Sequence, residues 1–459
     1  MMRSMYAGVS GLRVHQTQMD VIGNNIANVN TVGFKSERAT FSDMYYQTLQ
    51  GASASNPETE SGGTNPMQIG LGVSINSIDT LMTEGAAQRT DNPLDVKIEG
   101  DGFFVVGDAS GTYFTRAGVF QVDSAGYLTT PDGMTLQGWP VDEDGKIVQG
   151  QVDPLQIYSP DQAYSEPVGT TKATVYGNIE ENDERLDSGN TTGYVFTTSF
   201  YDEMGYKYTM EYSLAKESSG PGSNPGEVSL NLEKLKDSDG NIIVDFENSP
   251  PASIQMMQGV NSLGTDTVIF FDTTTGKFSG IGDDSATVTD SISIANLDVV
   301  KDSLPNDLII DFSSMTMYAG QSNVESSRGD SQGFGAGREA GTLSSFTIGA
   351  DGIVTGKYSN GETKSLGQIA IATFSNPAGL QKVGSNLFEA TPNSGDFDGI
   401  GDDITSTGGA LTSGVLEMSN VDLSKEFTDM IVTQRGYQAN SRIITVSDEM
   451  LQELVGLVR

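Results

Sequence analysis

The two ends of this chain carry helical apolar patterns, whereas the long stretch between them is patterned as β-structure. In the first thirty residues the apolar side chains recur in steps of three, four or seven, which places them on one face of an amphipathic helix. From Leu416 onward the same rhythm returns, with polar Gln434, Ser441 and Asp448 at the intervening seam positions. We therefore expect two terminal helices that pack against each other or against copies of themselves.

The middle of the chain, from about residue 70 to 415, consists of short alternating or β-branched runs bounded by Gly, Asp, Asn and Pro. Gly supplies 55 of the 459 residues, which agrees with many tight turns. Pairs such as Asp132-Gly133, Asp351-Gly352 and Asn360-Gly361 stand between apolar runs and accept the positive φ angles of hairpin turns. The sequence predicts a mainly β, multidomain fold whose N- and C-terminal α-helices form a coiled-coil-like terminal domain.

The charge is strongly negative, because 61 Asp and Glu stand against 25 Lys and Arg and give a formal net charge of −36. Such a chain repels phosphate backbones and anionic lipid surfaces, so we expect no nucleic-acid partner. The acidity is concentrated in residues 161–340, which hold 29 acidic and 10 basic side chains. No run approaches the ~18 apolar residues of a membrane span and the start lacks the apolar core of a signal peptide, which predicts no membrane insertion. Taken alone, these features suggest a cytosolic protein.

The residue types that carry most enzyme chemistry are scarce. The absence of Cys removes disulfides, thiolate nucleophiles and Cys-based metal sites, and the single His15 is expected to be structural or solvated. The run at 333–341 lacks the register and the terminal Lys-Ser/Thr pair of a phosphate-binding loop. Acidic runs at 237–241 and 396–403 resemble fragments of calcium loops, but acidic hairpin turns explain them. We predict no catalytic, cofactor-binding or metal site, with an extracellular, monomeric β-rich hydrolase as the alternative.

Two polar, Gly-containing stretches have the composition of links between domains. Residues 52–67 are expected to be an extended or mobile connection, and residues 321–341 an interdomain crossing. The predicted division is a terminal helical domain, an extended connection, an inner β domain in two parts, and an inserted outer β domain of one or two subdomains. These are residues 1–30 with 416–459, residues 31–75, residues 76–160 with 340–415, and residues 161–339.

Both ends of the chain resemble a known family. The starting run MYAGVSGLRVHQTQMDVIGNNIANVNTVGFKSERATF and the final run LEMSNVDLSKEFTDMIVTQRGYQANSRIITVSDEMLQELVGLVR are similar to the paired terminal signatures of bacterial flagellar rod and hook axial proteins. Between them GDGFFVV, YFTRAGVF and GYLTTPDGMTLQGW resemble the first part of the family's inner β domain, and FTIGADGIVTGKYSNGETKSLGQIAIATF resembles its second part. The large insertion between Asp161 and Ala340 favours the hook members over the distal-rod members. Within it, residues 200–216 resemble a strand-turn-strand of the hook outer domain.

The resemblance implies a structural subunit, not an enzyme, that polymerises into a flexible tube and acts as a universal joint between motor and filament. A distal-rod or hook-associated junction protein remains the alternative. The implied partners are copies of the chain itself, the distal rod protein, the hook-filament junction protein, the hook cap and the flagellar type III export apparatus. The implied location is extracellular, in the flagellar hook, after export without a cleaved signal peptide. Sliding of rigid β domains at the two links is expected to allow the tube to bend.

Two sets of site residues follow from the pattern and the resemblance. The first set is the apolar seam of the two terminal helices, which we expect to form the assembly interface in an inner tube. Its members are Leu12, Met19, Ile22, Ile26, Leu423, Phe427, Met430, Tyr437, Ile444 and Leu451. The second set matches the place of a short apolar export motif of the family and consists of Phe41, Met44 and Tyr45.

Overall fold

The computed structural model describes residues 2–54, 62–142, 145–187, 193–216, 223–246, 254–258, 261–262, 267–283 and 288–457. The chain forms two compact units. Unit 1 comprises Met1–Gln162, Ser345–Lys357 and Thr363–Arg459, and unit 2 comprises Ala163–Ser344 and Tyr358–Glu362. Strands dominate both units, and the long helices lie at the chain ends, so the expected fold class is confirmed.

The two terminal helices, α1 (Met2–Ala27) and α2 (Leu423–Leu457), both belong to unit 1 and pack against each other. They run antiparallel, because Ser4 lies opposite Ser447 and Asn25 lies opposite Glu426. Asp422 begins α2 by accepting hydrogen bonds from the backbone N–H groups of Ser424 (2.9 Å) and Lys425 (3.3 Å), the usual role of Asp at a helix start.

Residues 31–75 are not the extended connection that the composition indicates. Glu37–Asp43 pairs antiparallel with Val73–Thr80, and this hairpin packs on α1. Beyond it, Tyr46–Gln50 pairs with Met67–Gly70 in a second hairpin whose side chains are all exposed. The composition of residues 52–67 misled this prediction, because a polar, Gly-containing stretch is equally compatible with the end of a long hairpin. Residues 55–61 lie outside the described residues.

The remainder of unit 1 is built on a sheet that combines chain segments from before and after unit 2. Phe103–Asp108 is its central strand, and Ile371–Ala372 pairs with it. Across the sheet the strands are Ile353–Tyr358, Thr363–Ile369, Thr135–Trp139, Phe103–Asp108, Gly111–Thr115, Leu387–Glu389 and Gln381–Gly384. Shorter strands at its margins are Gln121–Val122, Leu128–Thr129 and Asp153–Pro154, and two further pairs are Val96–Glu99 with Ala410–Ser413 and Ala87–Arg89 with Val415–Glu417. Single 3-10 turns occur at Pro377–Gly379 and Ile404–Thr407.

Aromatic side chains fill the core of unit 1. Phe103 meets Phe374 and Phe388 edge-on, with ring centroids 5.9 and 5.6 Å apart. Trp139, the single Trp of the chain, is buried, and its indole N–H donates to the carbonyl oxygens of Gly150 and Ile400 at 3.0 Å. We call this sheet, together with its aromatic core, the β layer of unit 1. Trp139 reports whether the β layer is folded, because the emission of a buried Trp responds to local packing.

Unit 2 contains two sheets that share one hydrophobic core. The first runs through Asn261–Ser262, Gln255–Gln258, Ser291–Ala295, Asp307–Thr316, Lys172–Asn178 and Asn323–Arg328. The second runs through Tyr194–Tyr201, Lys207–Ala215, Glu227–Lys236, Val268–Phe271 and Phe278–Gly282, with Ile242–Asp245 beside Glu227–Lys236. One buried cluster takes residues from both sheets, including Val175, Ile310, Tyr212 and Leu230. Tyr164–Ser165 pairs with Gly341–Ile348, and Leu297–Val299 is a short 3-10 helix.

Residues 321–341 are not an interdomain crossing. Asn323–Arg328 is an edge strand of unit 2 that pairs antiparallel with Lys172–Asn178, and Val168 forms a bridge with Arg338. The prediction was wrong because this strand is polar on its exposed side, so its composition is that of a linker. The strand-turn-strand expected at residues 200–216 is present, because Tyr194–Tyr201 and Lys207–Ala215 pair antiparallel around a turn.

Candidate assembly interface

Small residues set the approach of α1 to α2. A Cβ atom added at Gly11 would lie 2.7 Å from the side-chain nitrogen of Asn440, and one added at Gly8 would lie 3.4 Å from Ile444. On α2, a Cβ atom added at Gly436 would lie 2.7 Å from Nε2 of His15. The glycines that weaken these helices in isolation therefore allow close packing of the pair.

His15 packs inside unit 1, which is the structural one of the two roles expected for it. It is half-buried between α2 and the first hairpin, against Gly436 and edge-on to Phe41, with ring centroids 6.5 Å apart. Its Nδ1 is buried and has no hydrogen-bond partner among the described residues.

The intervening positions of the α2 seam also differ from those expected. Thr433 and Ser447 are 1% and 2% exposed, and Asn440 lies against Gly11. Gln434, Ser441 and Asp448, which the sequence places there, are exposed. Both sets of positions are polar and recur every seven residues. The apolar heptad therefore does not show whether the second seam position lies three or four residues after an apolar one.

The structure brings together only part of the predicted interface set. Ile22 is buried at 4% exposure, and six others are half-buried along the two helices: Leu12, Met19, Ile26, Met430, Ile444 and Leu451. Leu423, Phe427 and Tyr437 are exposed at 39%, 51% and 37%. In the single chain these last three side chains are left open to solvent.

A further apolar surface of α2 is left uncovered by α1. We call it the outer stripe, and it consists of Val432, Ile443, Val446, Met450 and Leu454, which are 44–64% exposed. At ~100° per residue these side chains share one face of the helix. Since Ser4, near the start of α1, is opposite Ser447, the last turns of α2 extend past the end of its partner. The outer stripe was not identified from the sequence.

A buried ionic group lies where both helices join the β layer of unit 1. Glu417 and Lys35 are each 1% exposed, and Nζ of Lys35 donates to Oε1 of Glu417 at 2.7 Å. Arg116, 4% exposed, places a guanidinium nitrogen 3.6 Å from Oε2 of Glu417 and lies over the ring of Phe103. Burial lowers the pKa of both Lys35 and Arg116, while the Glu417 carboxylate opposes that shift. The arrangement is two buried cations around one carboxylate.

Two asparagines complete this junction. The Asn420 side chain accepts from Ser36 N–H at 2.8 Å and donates to the carbonyl oxygen of Leu81 at 2.8 Å. The Asn25 side chain exchanges hydrogen bonds of 2.8 and 2.9 Å with the backbone of Glu37. Sequence reasoning missed these residues, and the only signal for them is that Asn25, Lys35, Glu417 and Asn420 are polar side chains inside the two terminal runs that carry the family resemblance.

The carboxylates of the acidic turns accept hydrogen bonds from the backbone of the same turns. Asp237 accepts N–H groups from Asp239 and Asn241, and Asp398 accepts the N–H group of Ile400. Within the described ranges no group of three His, Asp or Glu side chains is arranged to hold a metal ion. In the same ranges no helix is both long and apolar enough to cross a lipid bilayer.

Comparisons with known proteins match the two ends and the β layer. The family described as "Flagella basal body rod protein" matches residues 5–35, "Flagellar hook protein FlgE/F/G D1 domain" matches residues 97–171, and "Flagellar basal body rod FlgEFG protein C-terminal" matches residues 412–457. These matches define a flagellar axial protein of the rod and hook class.

Full-length relatives narrow this class. The chain is 37% identical to flagellar hook protein FlgE of Borreliella burgdorferi and 36% identical to that of Treponema pallidum, with 100% of each chain covered. It is 30% identical to flagellar basal-body rod protein FlgG of Bacillus subtilis, again over 100% of both chains. A crystal structure of Helicobacter pylori flagellar hook protein FlgE2 covers 72% of this chain and 100% of that chain, at 16% identity and a TM-score of 0.40. The chain belongs to the flagellar hook protein family, a family of structural proteins, and the distal-rod or junction alternative is not favoured.

Proposed function

We propose that this chain polymerises through its terminal helices into the tube of a flagellar hook, the flexible joint that passes motor torque to the filament. The observation that carries the proposal is the outer stripe of α2, together with exposed Leu423, Phe427 and Tyr437. In a monomer, apolar side chains on two sides of a long helix stay exposed to water and do not stabilise the fold. In a polymer, neighbouring copies on both sides of the helix bury them.

The energy available at the outer stripe is sufficient for association. Its five side chains are about half exposed, so their burial by a neighbouring copy is worth roughly 4–8 kcal/mol at ~1.5–3 kcal/mol for each full burial. A micromolar complex requires about 8 kcal/mol, and each subunit in a tube makes contacts on several sides. The helices form the inner tube, and the acidic side chains of unit 2 keep finished tubes apart by like-charge repulsion.

Point variants on α2 test this assembly surface. Val446→Lys with Met450→Lys places two charges in the outer stripe, and we expect it to abolish tubes in concentrated precipitating salt. The matched control, Glu449→Lys, changes the net charge by the same +2 at an exposed polar position that lies ~100° around the helix from Met450, and it should leave tubes intact. Electron microscopy and sedimentation distinguish the two, and equal assembly by both variants would contradict the proposal.

The predicted export residues are accessible. Phe41, Met44 and Tyr45 are 40%, 41% and 81% exposed, at the end of the first hairpin of unit 1. We propose that they support export through the flagellar type III apparatus without a cleaved signal peptide. Replacing all three by Ala should reduce secretion into the medium with unchanged cellular synthesis, whereas the control Leu49→Ala, at another exposed apolar position, should not. Normal secretion of the triple variant would refute this role.

The proposed partners are the proteins that adjoin the hook along the flagellar axis. Copies of the chain contact one another along the tube, the distal rod protein contacts its base, and the hook-filament junction protein contacts its tip, with the hook cap present during growth. We propose a mechanical and not a catalytic role, at an extracellular location in the hook. Pull-down of each partner with the full chain and with the outer-stripe variant tests these contacts.

A further inference from the structure

Two short segments connect the terminal helices with the strands of unit 1: residues 28–36 lead from α1 into the first hairpin, and residues 418–422 lead from Val415–Glu417 into α2. These segments are the covalent links between the two helices and the rest of unit 1. They lie side by side, because Gly33 N–H donates to the carbonyl oxygen of Glu417 at 2.8 Å. Gly33 has a φ of +69°, and a Cβ atom there would lie 2.7 Å from the backbone nitrogen of Ala117, so only Gly permits this approach.

We propose that Lys35, Arg116, Glu417 and Asn420 act as a clamp that fixes the direction in which the helix pair leaves the β layer. The clamp exists within one chain before assembly, and its members are positioning residues for polymerisation. This inference rests on the proposed function, because the orientation matters only if the helices are presented to neighbouring copies.

The contacts of the clamp join every segment at the junction. Glu417 Oε1 accepts from Lys35 and from the N–H group of Gly85 at 2.8 Å, and Lys35 donates to the carbonyl oxygen of Thr83 at 2.8 Å. Arg116 donates to the carbonyl oxygen of Gly100 at 2.9 Å. The members thus connect the base of α1, residues 81–86, the strand that ends at Thr115 and the base of α2.

The chemistry of the clamp favours orientation over stability. A buried ion pair seldom stabilises a fold more than apolar residues of the same volume would, because desolvation offsets the attraction. Its hydrogen bonds have fixed directions, whereas an apolar cluster tolerates several arrangements. We infer that the charged group serves a unique geometry at this junction.

The rest of the helix pair is held differently. Among the described residues no ion pair joins α1 to α2, and the contacts at Gly8, Gly11 and Gly436 are with the side chains of Ile444, Asn440 and His15. Such contacts can slide by small amounts without leaving a buried charge unpaired. A fixed base and an adjustable upper part suit a subunit whose neighbours change spacing as a bent tube rotates.

Distances between spin labels in the soluble monomer test the clamp. Because the chain has no Cys, Gln438→Cys on α2 and Thr112→Cys on the β layer give two specific labels within unit 1. We expect one narrow distance distribution for the otherwise unchanged chain. Glu417→Gln, and the volume-matched variant Lys35→Met, Arg116→Met, Glu417→Leu, should each at least double its width.

Matched controls separate orientation from folding. The exposed ion pair of Arg38 and Asp79, replaced by Arg38→Gln with Asp79→Asn, should leave the distribution narrow. The emission of Trp139 reports whether the β layer remains folded. We expect this emission to be unchanged in the apolar triple variant, which leaves no buried charge unpaired. A broad distribution in the unchanged chain, or a narrow one in the folded triple variant, would overturn the clamp.

A second readout measures assembly. Elongation on sheared tubes of the unchanged chain should be at least tenfold slower for the folded triple variant, and an equal rate would overturn its positioning role. If the unchanged chain forms no tubes at all, the proposed function fails, and the label distances in the monomer still decide whether the clamp fixes the helices.

Discussion

The packing of His15 against Gly436 gives a sharp prediction about the register of the helix pair. Gly436→Ala places a methyl carbon 2.7 Å from Nε2 and 2.8 Å from Cε1 of His15, so the ring or the helix must move by about 1 Å to reach ordinary contact distance. Overpacking of this kind costs ~1–3 kcal/mol, and Ala gains ~1 kcal/mol over Gly in a helix. We expect a net change between nothing and a loss of about 2 kcal/mol.

Gly23→Ala is the matched control, because no atom lies within 4 Å of the added Cβ on the same helix pair. It should stabilise the pair by ~1 kcal/mol through helix propensity alone. The two variants therefore should differ by about 1–3 kcal/mol in urea unfolding followed by circular dichroism at a helix wavelength. The double variant His15→Ala with Gly436→Ala removes the clash and should recover most of the lost stability. Equal stabilisation by Gly436→Ala and Gly23→Ala would refute the antiparallel register.

Three further predictions concern single side chains. Burial raises the pKa of Glu426 above its ordinary value of 4.5. Its contribution to stability is therefore fully present below pH 4.5 and is lost as the pH rises through the folded-state pKa. Glu426→Gln should remove this fall in the free energy of unfolding, measured by urea unfolding at a series of pH values. Asn420→Ala leaves the N–H group of Ser36 without its acceptor and should cost ~1–3 kcal/mol, seen as faster hydrogen exchange there, whereas exchange unchanged from the parent chain would contradict this. Phe312→Ala empties a fully buried site of unit 2 and should cost ~3–5 kcal/mol in unfolding of that unit, with a smaller loss indicating that the core collapses into the space.

The sequence was most informative where one physical pattern dominates. The apolar steps along both ends predict the two helices, and turn pairs such as Asp351-Gly352 predict hairpins, with Gly352 at a φ of +80°. Composition was misleading for residues 321–341, because an exposed edge strand and a linker are both polar. It was equally uninformative about the register of the α2 seam, where Thr433 and Gln434 are both plausible next to an apolar heptad.

The junction of the helices lay beyond sequence reasoning for a different reason. Lys35 and Glu417 are 382 positions apart, and no local pattern connects them. Charged residues are ordinarily exposed, so a single Lys or Glu carries no sign that it will be buried. The outer stripe was missed because it lies beside the heptad seam, and only the limited length and width of α1 show which apolar side chains remain uncovered.

Removal of the terminal helices tests the central claim most directly. The full chain and a version without residues 1–27 and 423–459 should be compared by electron microscopy and sedimentation in concentrated precipitating salt, with Trp139 emission as the check that the β layer is folded. We predict long tubes from the full chain and only monomers from the shortened one. Tubes formed by the shortened chain would show that the β units drive assembly, and would contradict the account given for α1 and α2.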